Sequence, residues 1–188
     1  MFFERRDKVH QTARRLIRLF EKANMSYAMM GAMAVNLHGA RRTTDDVDFL
    51  LTEQGFDRFL REFVGRHVDR VPRRPRRFVD RKNGVTVDIL ITGRFPGTGK
   101  PGPIAFPDPA SASVTIEKTH VVDLPQLIQL KLAAGRYYDF GDVVFLIRVH
   151  DLEESFADKL HPSVHRDYIE CLEEKRREDE YDAREGTG

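Results

Sequence analysis

Two aspartates, Asp46 and Asp48, stand at the head of the apolar run DVDFLL, and a third, Asp88, stands alone in VTVDILI. In an extended chain residues two apart point the same way, so Asp46 and Asp48 project together while Val47 and Phe49 face the opposite side. Their Cα atoms lie roughly 6 to 7 Å apart in such a strand, from which two carboxylates can converge on one cation or on two metal ions about 3.5 to 4 Å apart. Carboxylates in an apolar segment need a counter-cation, because burying them unpaired costs several kcal/mol. If the strand of Asp88 neighbours the first, three carboxylates meet at one spot. Oxygen-only donors of this kind suit hard divalent ions, magnesium above all.

Gly31 supplies a second half to such a site. It separates the short apolar stretch SYAMM from a helix-favouring run, AMAVNL. A glycine there lets a phosphate approach the backbone, and the amides that follow, from Ala32 onward, can bind its oxygens. A triphosphate between a helix start and a metal pair suits nucleotidyl transfer, in which positioning and charge stabilisation supply most of the catalysis.

The elements that must hold these residues are legible in outline. Apolar positions Val9, Ala13, Leu16, Phe20 and Ala23 predict an amphipathic helix over 4–24. A strand over 26–30, a helix from Gly31 to about His38, a strand over 47–51 and a helix over 54–63 follow. The third strand, 85–91, is introduced by the turn dipeptide Asn83-Gly84. Residues 92–113 hold most of the prolines and read as a long loop. Short extended segments over 114–116 and 120–122 precede a helix N-capped at Asp123, with Pro125 in its first turn and an end at Gly135. Further helices are expected over 139–149 and 161–177, and 179–188 reads as a disordered tail. The fold class is α+β: a small, twisted, mixed or antiparallel sheet with packed helices (1–122), and a helical C-terminal half (123–178) of the same unit.

With 188 residues, 40% hydrophobic and 32% charged, and a formal charge of +1, the chain has the composition of one soluble globular domain. There is no global bias toward nucleic acid or membrane. The single cysteine, Cys171, excludes an intramolecular disulfide, no apolar run approaches a membrane span, and a cytoplasmic location is expected.

Several features have ordinary explanations. Asp46 could cap a turn or pair with Arg41 or Arg42, and His38 reads as a helix-end or packing residue. GTGK at 97–100 is followed by Pro101, so a Walker phosphate loop is excluded. The segment HVDRVPRRPRRFVDRK is either a solvated hairpin connection or a track for an RNA backbone, with Arg73, Arg74, Arg76 and Arg77 as the contacts.

The order of Gly31, then Asp46-Val47-Asp48, then Asp88 resembles the signature of the nucleotidyltransferase superfamily typified by DNA polymerase beta. More narrowly, GAMAVNLHGARRTTDDVDFLL and LIQLKLAAGRYYDFGDVVFLI resemble the abortive-infection (AbiEii-type) toxins and related small bacterial nucleotidyltransferases, over roughly residues 26–150. The resemblance implies Asp46 and Asp48 as ligands of two Mg²⁺ ions and Asp88 as a third ligand or as the base for the incoming hydroxyl. It further implies Arg42 and Thr44 in the phosphate pocket, Lys131 on the nucleotide phosphates, and His38, Gly39, Arg136, Asp139 and Asp142 as pattern matches without assigned chemistry. Ala32 departs from the usual Gly-Gly or Gly-Ser and removes a serine hydroxyl. The function implied is transfer of an NMP from an NTP to a hydroxyl of RNA (tRNA), protein or a small molecule, as a toxin with an antitoxin partner. The alternatives are a catalytically weak nucleotide- or partner-binding module of the same fold, and a two-metal nuclease.

Overall fold

The computed structural model describes residues 7–185, and its architecture is α+β. The chain divides into two compact units, Met1–Arg94 with Phe106–Asp123, and Phe95–Ala105 with Leu124–Gly188. The irregular proline-rich loop is thus shared between them.

The first unit carries α1 (Lys8–Lys22), β1 (Tyr27–Met30), α2 (Gly31–Leu37), β2 (Asp46–Leu51), α3 (Glu53–Glu62), β3 (Val68–Val71), β4 (Arg74–Asp80), β5 (Thr86–Ile91), β6 (Ser113–Ile116) and β7 (Thr119–Val122). Asp7 caps α1 by accepting from the His10 amide at 3.0 Å, and Thr52 caps α3 through Gly55 N–H at 2.9 Å. All seven strands form one mixed sheet in the order β3-β4-β5-β2-β1-β7-β6. β2 runs antiparallel to β1 and parallel to β5, and β5 runs antiparallel to β4.

Alternation along β2 and β5 separates two faces. Val47, Phe49, Val87, Ile89 and Ile91 are buried, while Asp46, Asp48, Thr86 and Asp88 on the other side are half-buried. The apolar face packs on α1 and α3 through a cluster of rings. Phe20 meets Phe49 edge-on at 5.0 Å, and Phe59 meets Phe78 edge-on at 5.0 Å. Burial of each such ring contributes about 1.5–3 kcal/mol, so this layer fixes the sheet that displays the acids.

The arginine-rich segment is an exposed hairpin, the first of its two readings, and its arms are two strands of the sheet, β3 and β4. Its turn has Pro72 followed by Arg73 at φ 59°, the type II arrangement with a left-handed second residue. Asn83-Gly84 closes the next hairpin as expected, with Gly84 at φ 71°.

The second unit holds α4 (Leu124–Ala134), α5 (Tyr137–His150), two short 3₁₀ turns at Glu154–Lys159 and Pro162–Val164, and α6 (His165–Glu185). The expected disordered tail is helical as far as Glu185; residues 186–188 lie outside the described residues. Ion pairs rather than apolar periodicity hold this last stretch. Lys175 meets Asp179 at 2.9 Å, Arg177 meets Glu174 at 2.5 Å, and Arg148 of α5 reaches Glu178 at 2.6 Å and Asp179 at 3.3 Å. No helix among the described residues is long and apolar enough to cross a membrane.

Candidate active site

The sheet order places the expected acids on adjacent strands. Asp48 pairs in register with Asp88 of β5 on one side and with Met30 of β1 on the other, and Asp88 in turn pairs with Arg77 of β4. Arg77, Asp88 and Asp48 therefore form one row on the polar face, with Asp46 two residues along β2.

Gly31 closes the row at the start of α2. Its φ is +61°, and a Cβ built on it would lie 1.8 Å from Asp48 Oδ2 and 2.7 Å from Asp48 Cγ. The Asp48 carboxylate thus occupies the space that any other residue at position 31 would fill. That close approach, together with a left-handed backbone, is a physical requirement for glycine. Ala32 is buried behind it, and the N-cap residue Met30 provides no side-chain cap to the seven-residue helix.

The loop between α2 and β2 orients Asp46. Thr44 Oγ1 donates to Asp46 Oδ1 at 2.8 Å, so this hydroxyl is engaged with the carboxylate beside it. Arg42 is held by its backbone: its amide donates to Asn36 Oδ1 at 2.6 Å, and Asn36 Nδ2 donates to the Arg42 carbonyl at 2.8 Å. Asn36 is a residue that the sequence reading missed. His38 is structural, as read, its Nε2–H donating to the Val122 carbonyl at 2.8 Å and tying α2 to β7.

Asp88 is in the expected place with an unexpected partner. Arg77 Nε and Nη2 donate to its two oxygens at 2.8 and 2.6 Å, a bidentate pair. The Asp88 hydrogen bond and charge, with added charge from Asp46 and Asp48, raise the Arg77 guanidinium above its ordinary value. One cation therefore sits in the field of all three acids. Among the described residues no three His, Cys, Asp or Glu side chains stand together as a formed metal cluster. The donors nonetheless fit a hard divalent ion: they are carboxylate oxygens, half-buried on neighbouring strands and facing the same side of the sheet.

Arg77 was read as one of four arginines on an RNA track; its guanidinium is instead committed to Asp88. Arg73, Arg74 and Arg76 are exposed on the β3–β4 hairpin and have no acidic partner among the described residues. The signal for Arg77 lay in the turn dipeptide. A hairpin closed on Asn83-Gly84 brings Val79, Phe78 and Arg77 opposite Thr86, Val87 and Asp88 in turn.

Asp80, at the same hairpin, was also missed. It is fully buried, accepts from Thr12 Oγ1 at 2.8 Å and from the Asn83 amide at 3.2 Å, and pairs with Arg15. This network ties α1 to the β4–β5 turn.

Lys131 belongs to the second unit. Its ammonium is buried between Asp142 at 2.6 Å and Asp139 at 3.2 Å, and Arg136 donates to Asp139 at 2.6 Å. The residue expected on the nucleotide phosphates thus takes part in an internal ion network, which also gives a structural role to Arg136, Asp139 and Asp142.

No family model matches the chain, and no curated protein matches it. Similar solved structures include two at 16% identity. One is JHP933 of Helicobacter pylori, with a TM-score of 0.46 over 79% of this chain and 69% of that one. The other is an H. pylori protein provisionally described as a nucleotidyltransferase, with a TM-score of 0.48 over 88% of this chain and 76% of that one.

Proposed function

We propose that the chain is a magnesium-dependent nucleotidyltransferase that moves an NMP from an NTP to a hydroxyl. The observation that supports this best is the in-register placement of Asp48 and Asp88, with Asp46 on the same face and Gly31 against the Asp48 carboxylate. In this reading Asp46, Asp48 and Asp88 hold the cations, which neutralise charge on the triphosphate and on the departing pyrophosphate. Asp46 is kept in orientation by Thr44, and Asp48 is seated by the missing side chain of Gly31. Gly31 and Ala32 present backbone to the phosphates, with Arg42 at the rim.

The acceptor proposed is RNA, with Arg73, Arg74 and Arg76 tracking its phosphates. The finer proposal is a cytoplasmic toxin of the abortive-infection kind, opposed by an antitoxin protein. It rests on the resemblance of GAMAVNLHGARRTTDDVDFLL and LIQLKLAAGRYYDFGDVVFLI to that group.

The test is incubation with each labelled NTP, Mg²⁺ and total RNA or a lysate fraction. Label transfer that disappears in both Asp46→Asn and Asp48→Asn supports the proposal. RNA degradation without added NTP would point to a nuclease instead. A second reading, a nucleotide-binding module without transfer, is favoured by the engagement of Asp88 with Arg77; NTP binding with no transfer to any acceptor would select it.

A further inference from the structure

We propose that Arg77 is a gate on the cation site: a positioning residue whose guanidinium holds the Asp88 carboxylate until a divalent cation displaces it. This rests on the reading that Asp46, Asp48 and Asp88 take such a cation. The geometry carries the rest. A bidentate arginine engages both oxygens of Asp88, one hydrogen bond to each, so a cation arriving at that carboxylate competes with the guanidinium for its charge and its orientation. The strand register sets Asp88 between Arg77 on one side and Asp48 on the other, so a cation held by the acids would share this carboxylate with the guanidinium.

Exposure decides which partner can leave. The Arg77 side chain is 45% exposed and that of Asp88 20%, so a released guanidinium passes into water while the carboxylate stays in the row. The other arginine–aspartate pair of β4 behaves differently. Asp80 has a fully buried carboxylate facing an Arg15 that is only 20% exposed, and parting them would leave a charge uncompensated. One pair is a clamp and the other a latch.

A unit charge about 6 Å from a divalent ion, in surroundings as polarisable as water, changes affinity about tenfold.

The experiment is Mn²⁺ binding by the full chain, read from the electron paramagnetic resonance of free Mn²⁺, for wild type, Arg77→Gln, Arg77→Lys, Asp48→Asn, Asp88→Asn and Arg77→Gln/Asp88→Asn. Arg77→Gln is expected to bind at least about tenfold tighter, with Arg77→Lys between it and wild type. In the Asp88→Asn background the gain from Arg77→Gln should shrink. In the wild-type chain, independently of any variant's folding, the Arg77 Nε–H resonance should move as Mg²⁺ is added. Unchanged or weaker binding by Arg77→Gln, or a resonance that stays fixed while cation binds, overturns the gate. If Mn²⁺ binds wild type, is lost in Asp48→Asn and is indifferent to Arg77→Gln, only the gate fails. If neither wild type nor Arg77→Gln binds Mn²⁺, the cation reading fails and takes the gate with it.

Discussion

Replacing Gly31 by alanine tests how Asp48 is seated. The added Cβ would meet Asp48 Oδ2 at 1.8 Å, Cγ at 2.7 Å and Cβ at 3.1 Å, so the carboxylate must swing away. An alanine at φ +61° costs about 1–2 kcal/mol of backbone energy. Driving Asp48 from its rotamer adds about 0.5–1.5 kcal/mol. The expected loss is about 1.5–3.5 kcal/mol, a fall in Tm of roughly 3–14 °C for a chain of this length. Thermal unfolding followed by circular dichroism measures it, and a double-mutant cycle isolates the cause. In an Asp48→Ala background the two closest atoms are gone, so Gly31→Ala should lose only the backbone part, leaving a coupling of about 1 kcal/mol. Mn²⁺ binding should weaken in Gly31→Ala as the carboxylate is displaced. Equal costs in both backgrounds would refute the reasoning, since the carboxylate would then not rest against the glycine.

Lys131→Met should destabilise the chain by about 3–5 kcal/mol in urea unfolding, because the buried carboxylates of Asp139 and Asp142 lose the ammonium between them; adding Asp142→Asn should recover part of the loss. An unchanged Tm with weaker NTP binding would instead return Lys131 to the phosphates. Charge reversal of Arg73, Arg74 and Arg76 should reduce the slope of log affinity for single-stranded RNA against log salt by about 2, measured by fluorescence anisotropy; an unchanged slope removes the hairpin from RNA binding. Burial pushes the Cys171 thiol up to about 12 from an ordinary 9.0. The folded state keeps its proton longer than the unfolded one, so this contribution to stability is intact below about pH 9 and is lost as pH rises toward 12. Alkylation of Cys171 by iodoacetamide at pH 8 should accordingly be slow in the native chain and fast in urea.

The sequence patterns that survived contact with the structure were local ones. Strand alternation placed Asp46 and Asp48 on one side of β2, and the β-branched run around Asp88 marked β5. That the arms of the arginine-rich hairpin are strands of the sheet escaped because Pro72, Pro75 and a series of arginines obscure alternation at an exposed edge, where burial does not enforce it. The end of α6 escaped for the opposite reason: charges four apart stabilise it, and those same charges read as disorder. Lys131 entered as a phosphate contact implied by the resemblance. Only the packing of α5 against α4, which brings Asp139 and Asp142 to it, shows a buried ammonium. Arg77 needed one more inference than the local pattern gives, the register of a hairpin across a turn.

The row of Arg77, Asp88 and Asp48 has a consequence of scale. Neighbouring strands stand about 4.8 Å apart, a spacing fixed by the peptide ladder and not by the side chains hung upon it. Each charged group is therefore one rung from the next, and the dimensions of the candidate site are inherited from the backbone of β4, β5 and β2. Side-chain substitution can empty or recharge a rung, but altering the distance between rungs would require the ladder itself to come apart.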